Sequence, residues 1–305
     1  MIRTKSGAAG LSIVSNSALI ALKLVAGAIT GSVAIITEAI HSAIDLVASV
    51  VAFFSVRAAD EPADREHPYG HQKVENLAAA IEGMLILVGA GIIIYEATRR
   101  LVEGGEISHL GVGIGVIAFS AAANVCVSTF LYRRARELHS PALAGDAAHL
   151  RTDALTSFGV LVGLGLVELT DEPAFDAITA LIVAVAIVYS GIRILTSSGR
   201  ELVDEAPPAD ELDRIEAAIA AERANAPSIA GYHKLRARRS GARRYIDLHL
   251  QFTSGTTLEL AHSVAHKVRE AIEHEIPRSD VLIHVEPEDS LRPPEEARRG
   301  PYRAG

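Results

Sequence analysis

Several residue types are scarce in this chain, and each scarcity excludes a class of protein. Cys126 is the single cysteine among 305 residues, so no intrachain disulfide can form. The net charge of −8 at pH 7 lacks the basic surplus that binds nucleic acid. The one His-Glu pair, His274-Glu275, is followed by Arg278 where a membrane metalloprotease needs its second histidine. No cleavable signal peptide is expected, because no clear small-residue cleavage pattern follows the short first ten residues.

Apolar sequence, by contrast, is abundant. Hydrophobic residues make up 49% of the chain and the mean hydropathy is +0.26, both typical of membrane proteins. Yet 22% of the residues are charged, so a sizeable part must lie in water, and acidic and basic residues alternate from Glu201 onward. We therefore predict a transmembrane domain over residues 1–205, a smaller soluble domain over 206–290 and a disordered tail over 291–305.

Six stretches of the first domain are long enough to cross a bilayer as helices. Crossing requires about 20 mostly apolar residues. The sequence therefore predicts an all-α membrane bundle of six helices. The predicted segments are 7–30, 33–56, 77–101, 110–132, 142–167 and 175–195.

The charges of the short links between these segments predict the orientation. Arginine and lysine concentrate in cytoplasmic loops of membrane proteins. Arg57 and Lys73 flank the link between the second and third segments, and Arg133 and Arg134 follow the fourth. The opposite links are acidic, as at Glu168. Both termini are therefore predicted to be cytoplasmic.

One pattern occurs twice within the predicted helices: His41 and Asp45 in the second, and His149 and Asp153 in the fifth. Positions i and i+4 of an α-helix share a face, so each pair presents an imidazole and a carboxylate together. Two such helices facing each other would supply four ligands, the number that zinc prefers. Ionisable residues at membrane depth cost roughly 2.5–3.5 kcal/mol each, which favours function over helix–helix adhesion. The pattern predicts a metal transporter.

Other polar residues in the helices have less specific interpretations. Glu38 and Asp146 each lie three residues before one of these histidines. They either orient the imidazole or occupy ordinary interface positions. Hydrogen bonds between helices are the expected role of Asn16, Glu82 and Asn124.

The soluble domain has the periodicities of a small α+β fold. Residues 210–225 and 258–276 have helical spacing of their apolar positions. Alternation predicts strands at 231–239, 243–252 and 281–286, the first two joined by a turn at Gly241. The order α-β-β-α-β predicts an open sheet with helices on one face.

Histidines are concentrated in this soluble domain, which holds six of the twelve in the chain. Their spacing fits either a second metal-binding cluster or a scatter of surface side chains, and spacing alone does not decide between them. The six are His233, His249, His262, His266, His274 and His284.

Three features together resemble one known family, the cation diffusion facilitators. These are the paired His-x-x-x-Asp motifs on the second and fifth of six helices, the loop sequence 62–75, and the C-terminal α-β-β-α-β domain. The resemblance covers most of the chain and is nearest to the bacterial zinc-exporting members. No long histidine-rich insertion separates the second and third helices.

The resemblance implies a homodimer in the cell inner membrane, held together by a cytoplasmic metal-binding, metallochaperone-like domain, with Zn²⁺ both transported and bound structurally. It also implies three metal sites per protomer. Glu286 stands where the family often has aspartate, which puts the geometry of the third site in question. The implied transport site is His41, Asp45, His149 and Asp153; the loop site is Asp64, His67 and His71; and the paired-metal site at the dimer interface is His233, His249, His262, His284 and Glu286.

The expected function is export of Zn²⁺ from the cytoplasm in exchange for H⁺ by alternating access, without enzymatic activity. One alternative is a membrane metal sensor that does not transport. Another is the same transporter with a broader range that includes cadmium, cobalt and iron, because affinity order is a poor guide to the physiological metal. A requirement for Asp45 in metal flux as well as in binding would separate transporter from sensor.

Overall fold

A computed structural model describes residues 4–30, 33–103, 111–170, 172 and 174–288. The chain divides into two compact units, Met1–Arg200 and Glu201–Gly305. The predicted tail, 291–305, lies outside the described residues.

The described residues of the first unit form six long helices. At about 1.5 Å per residue, even 26 residues exceed the roughly 30 Å of a hydrocarbon core. Within the described residues, five helices are both long and apolar enough to cross a membrane, and α2 is the exception because much of its first half lacks described side chains. The predicted all-α membrane bundle is confirmed. The helices are α1 (Lys5–Thr30), α2 (Val33–Ala59), α3 (Lys73–Glu103), α4 (Gly111–Leu138), α5 (Pro141–Thr170) and α6 (Ala174–Leu202).

Helix α5 is central to the bundle, since it packs against α1, α2, α3 and α4. Its first turns are rich in alanine, and Ala142 and Ala147 are completely buried beside Leu143. Small residues let membrane helices approach closely. The close approach brings the polar side chains of α5 within reach of its neighbours.

The outer face of the bundle is apolar. On α3, Val88, Ile92 and Tyr95 are each more than 60% exposed, and on α6 Val185 and Tyr189 are about as exposed. Large apolar side chains are rarely exposed in such numbers to water. This is the surface expected of helices that contact lipid.

Several helices extend beyond their predicted apolar segments. Helix α4 continues six residues past the predicted end at Tyr132, to Leu138, and includes Arg133 and Arg134. Backbone hydrogen bonding does not stop where apolar sequence stops, so the charged last turns remain helical.

The second unit has the predicted order of elements, and the predicted α+β class is confirmed. The strand order is β1-β2-β3, with β1 and β2 antiparallel and β2 and β3 parallel. The parallel pair requires a crossover, which α8 supplies. The elements are α7 (Ala209–Asn225), β1 (Ile229–Ser240), β2 (Arg243–Phe252), α8 (Leu258–Glu275) and β3 (Ser279–Pro287).

Apolar and polar residues alternate along β2, and this alternation determines which face of the sheet is covered. Ile246, Leu248 and Leu250 are fully buried in one cluster with Val268 and Ile272 of α8. The intervening residues of β2, including His249, therefore face the other side of the sheet. The sheet separates the apolar core from a row of polar side chains.

Candidate metal centres

The first candidate centre lies inside the helix bundle, where α2 and α5 pack together. Ligand atoms of Asp45, His149 and Asp153 lie within 4.8 Å of one another. His149 Nε2 is 3.2 Å from Asp45 Oδ1, and both residues are less than 10% exposed. His41 is on α2 one turn before Asp45, but its side chain lies outside the described residues.

The spacing of these atoms suits a small dication. Zinc bonds to nitrogen and oxygen at about 2.0–2.2 Å, which places tetrahedral ligands about 3.3 Å apart. The 3.2 Å between His149 Nε2 and Asp45 Oδ1 is close to that separation. Two carboxylates and an imidazole would also neutralise a divalent charge that a low-dielectric interior disfavours. The geometry can hold a metal ion without large movement of α2 or α5.

A network of hydroxyl groups lies one turn away from this cluster. Ser12 and Ser49 donate hydrogen bonds of 3.1 and 2.9 Å to Asp146 Oδ1. Asn16 Nδ2 donates a 2.8 Å bond to Ser49. Asp146 thus joins α1, α2 and α5, and its hydrogen-bond partners among the described residues are Ser12 and Ser49, not His149. Of the two interpretations open for Asp146, the interface position fits.

Two of the three expected helix–helix hydrogen bonds are not seen among the described residues. Asn16 makes one, but both carboxyl oxygens of Glu82 and Oδ1 of Asn124 lack a hydrogen-bond partner among the described residues. The expectation was wrong for Glu82, because α3 places its carboxyl group against Gly145 of α5, a residue without a side chain that could donate a hydrogen bond. The sequence does carry a signal that Glu82 is a candidate functional residue, because it is a carboxylate in the middle of a strongly apolar segment.

The second candidate centre is the loop between α2 and α3. His67 Nδ1 and His71 Nε2 lie 3.3 and 3.4 Å from the two carboxyl oxygens of Asp64. Gly70 makes this turn possible with a φ of 85°, a conformation that side-chain-bearing residues rarely adopt. Asp64 Oδ1 also accepts the backbone N–H groups of Glu66 and His67. The hydrogen bond from the backbone N–H of His67 holds the pKa of Asp64 below its ordinary value, so this carboxylate stays ionised.

The third candidate centre is a row of histidines on the uncovered face of the sheet. His233, His249 and His284 are direct neighbours across β1, β2 and β3. Glu286 lies two residues along β3 and contacts all three. Its Oε2 is 2.8 Å from His233 Nε2, and its Oε1 is 2.5 Å from His249 Nδ1 and 3.5 Å from His284 Nε2. The glutamate therefore already bridges separate imidazoles with its two oxygens.

His262 is not brought to this row within the described protomer. It lies on α8, which packs against the opposite face of the sheet, and its ring is 4.5 Å from that of His266. Arg269 contacts His266 Nδ1 at 3.0 Å. A three-stranded sheet thus stands between His262 and the other predicted ligands of this centre.

Comparisons with known proteins agree with this architecture. Residues 10–203 match the cation efflux transmembrane domain, and residues 207–288 match the cytoplasmic domain of cation efflux proteins. The chain is 33% identical over 277 residues to an uncharacterized transporter, sll1263, of Synechocystis sp., covering 91% of this chain and 88% of that protein. It is 34% identical over 271 residues to the cation-efflux pump FieF of Salmonella agona, covering 89% of each.

A solved structure of the zinc transporter CzrB in its zinc form is also similar. It is 30% identical and covers 30% of this chain and 99% of its own, with a TM-score of 0.27. The two domain matches together span nearly the whole described chain, in the order of the two compact units. The chain belongs to the cation efflux family, the cation diffusion facilitators, and is an integral membrane cation efflux transporter.

Proposed function

We propose that this protein exports Zn²⁺ from the cytoplasm in exchange for H⁺. The observation that carries the proposal is the cluster of Asp45, His149 and Asp153 between two helices of the bundle, with Asp45 and His149 buried and Asp153 half-buried. Imidazole and carboxylate groups suit zinc. A metal ion bound by this cluster would lie within the membrane-spanning bundle, part of the way across. His41, one turn before Asp45 on α2, would be the fourth ligand.

Proton exchange follows from the chemistry of the ligands. A metal ion binds the neutral imidazole and the ionised carboxylate, so its binding releases any protons that these groups carry. Open to the cytoplasm, the cluster would take up Zn²⁺ and lose protons. Open to the opposite side, protons would compete for the same atoms and displace the metal. The two cargoes cannot occupy the cluster together, which is the basis of exchange.

The other two centres would bind zinc that is not transported. Asp64, His67 and His71 form an exposed site in the loop, and the row of His233, His249, His284 and Glu286 forms one on the sheet. In a homodimer, His262 would reach such a row only from a second copy, because its own sheet intervenes. Zinc bound in that way stabilises the dimer by mass action. The protein would lie in the inner membrane with both termini and the soluble domain in the cytoplasm.

The test is Zn²⁺ flux into proteoliposomes under an imposed pH gradient, comparing the wild type with Asp45→Ala. Glu137→Ala is the matched control, since Glu137 is an exposed carboxylate that pairs with Arg134 at the end of α4. The expected result is gradient-driven flux in the wild type and the control, and none in Asp45→Ala. Zinc binding without flux in any of the three would contradict transport and favour a sensor.

The same vesicles would determine the range of metals. Competition of Cd²⁺, Co²⁺ and Fe²⁺ with Zn²⁺ for flux distinguishes a zinc exporter from a broader cation pump. With two carboxylates and one described imidazole in the cluster, zinc is expected to be carried in preference to the others. Equal flux of all four ions would support the broader alternative.

A further inference from the structure

Glu82 is a buried acid that the transport site does not use. It is 0% exposed, in the membrane-spanning part of α3, and neither carboxyl oxygen has a hydrogen-bond partner among the described residues. An ionised carboxylate in an apolar interior needs donors or a cation to replace its lost hydration. The described surroundings supply no such donor, so something else must satisfy this group.

The position of Glu82 depends on a glycine of the facing helix. A Cβ atom at Gly145 would lie 2.0 Å from Glu82 Oε2 and 3.2 Å from the Cα of Ala79. The carboxyl group therefore fills the space that any other residue at 145 would occupy. Gly145 precedes Asp146 on α5, one turn before His149. The acid is thus held between α3 and α5 beside the transport cluster, but outside it.

The neighbouring acid, Asp146, has the donors that Glu82 lacks. Its Oδ1 accepts two serine hydroxyls, whereas its Oδ2 has no partner among the residues described. The charged groups that act on Glu82 are Asp146 and His149, both from α5. Helix α2, which also packs against α3, contributes Asp45, in contact with His149. Helix α6 approaches α3 at Gly83 through uncharged residues, Gly191 and Leu195.

We propose that Glu82 binds a counter-transported proton, being protonated while the cluster of Asp45, His149 and Asp153 is empty and ionised while the cluster holds a dication. The proposal rests on the antiport function proposed above and adds a proton site outside the metal ligands. On metal entry the O–H bond of Glu82 breaks, and the proton leaves to the cytoplasm. On metal release to the other side, a proton from that side re-forms the bond.

Charge explains why the two events are linked. With the cluster empty, two acids of the cluster and Asp146 already surround one imidazole, and a further negative charge on Glu82 is unfavourable. A dication in the cluster reverses that balance and favours the ionised form. A second metal ion at Glu82 itself does not fit, because the described groups offer three unbonded carboxylate oxygens where zinc takes four ligands.

The test counts protons released per protomer when zinc saturates the purified full-length protein, by calorimetry in two buffers of different ionisation enthalpy. Glu82→Gln is expected to release about one proton fewer than the wild type, and Glu82→Asp to restore it. The matched control is Glu75→Gln, because Glu75 is equally buried on α3 but bonded to Lys5 at 2.5 Å and to Ser140. Its proton count is expected to match the wild type.

A second background tests whether proton release from Glu82 depends on metal in the transport cluster. In Asp45→Asn, which removes a cluster ligand, adding Glu82→Gln is expected to change nothing. An unchanged proton count in a Glu82→Gln protein that still transports would overturn the role of Glu82 and leave the antiport intact. A wild type without gradient-driven flux would refute the antiport itself.

Infrared difference spectroscopy tests the proposal on the wild type, independently of how well the variants fold. Zinc binding is expected to remove the C=O stretch of one protonated carboxyl group. A spectrum that shows no protonated carboxyl in the metal-free protein would overturn the proposal, since Glu82 would then be ionised and satisfied by water or by a monovalent cation.

Discussion

The intramembrane cluster and the sheet cluster use the same side chains in opposite proportions. In the bundle, Asp45 and Asp153 accompany one described imidazole, with Asp146 and Glu82 buried nearby. On the sheet, three histidines share the single carboxylate of Glu286. The first site has more carboxylates than described imidazoles in the interior of the bundle, and the second has more imidazoles than carboxylates at a half-exposed surface. Carboxylates out of water are unfavourable without a proton or a metal ion to offset their charge, whereas imidazoles near the surface can stay uncharged.

That difference predicts a different role for each site, exchange in the bundle and assembly at the sheet. A site that must always hold either a metal or protons is suited to exchanging one for the other. A site that is stable when empty is suited to binding metal in response to its concentration. The largest effects on transport should therefore come from the bundle, and effects of the sheet cluster should be seen chiefly in assembly.

Removing one ligand from each cluster tests this difference most directly. Asp153→Asn is expected to reduce zinc flux at least 100-fold, because the cluster loses both a ligand and a charge that neutralises the dication. His249→Ala is expected to retain flux within several-fold. Both are measured as initial rates in proteoliposomes at saturating zinc. Equal losses in the two variants would show that the sites are not functionally distinct.

Glu286→Gln should affect assembly more than transport. Glu286 contacts three imidazoles, so its neutralisation is expected to weaken zinc binding at the sheet at least tenfold. Zinc at 100 times its Kd stabilises the form that binds it by about 2.7 kcal/mol, and a tenfold weaker Kd should remove about half of that gain. Dimer dissociation on dilution, with and without zinc, measures the effect. Zinc-independent dissociation in the wild type would contradict the assembly role.

The soluble unit also has a source of stability that needs no metal. Arg244 donates two hydrogen bonds, of 2.9 and 3.0 Å, to Glu211, and lowers the pKa of that carboxyl below its ordinary 4.5. A lowered pKa stabilises the fold fully above the unfolded value, and the gain is lost as pH falls through the folded value. Glu211→Gln is expected to cost about 1–2 kcal/mol at pH 7.

The cost should shrink as the pH falls from the ordinary 4.5 through the lowered pKa of Glu211, because the wild-type carboxylate then becomes protonated as well. Hydrogen exchange of β2 and α8 in the full-length protein, corrected for the intrinsic rate at each pH, measures it. Glu270→Gln, on the exposed side of α8, is the control. A pH-independent cost would indicate a packing defect rather than the loss of the ion pair.

The smallest effect is expected at the loop cluster, which is more exposed than either of the others. Gly70→Ala places a side chain at a φ of 85° and in contact with Gln72, which strains the turn by about 1 kcal/mol. Zinc affinity of the loop is expected to fall several-fold, with flux unchanged. Isothermal titration in a His249→Ala background isolates the loop site. A loss as large as that of His67→Ala would show that Gly70 does more than permit the turn.

The sequence predicted those parts of the sites that follow from local periodicity. His149 and Asp153 share a helical face because they are four residues apart, and His284 and Glu286 share a strand face because they are two apart. The six helices and the α-β-β-α-β order follow from apolar patterns of matching period. Such patterns depend on neighbours along the chain, which the sequence specifies directly.

Contacts between different helices and strands were harder to predict from the sequence. The contact of Glu82 with Gly145 depends on which faces of α3 and α5 meet, and nothing in the local pattern of α3 specifies that pairing. The separation of His262 from the histidine row depends on which side of the sheet α8 covers. Both are tertiary choices, set by packing summed over whole helices and strands.

The most direct test of exchange at the intramembrane cluster needs no imposed pH gradient. Vesicles that contain the protein, a high internal Zn²⁺ concentration and an internal pH indicator are diluted into zinc-free buffer of the same pH. Exchange predicts that the lumen acidifies as zinc leaves, and that Asp45→Ala abolishes both changes. Zinc efflux through the wild-type protein without acidification of the lumen would contradict the account.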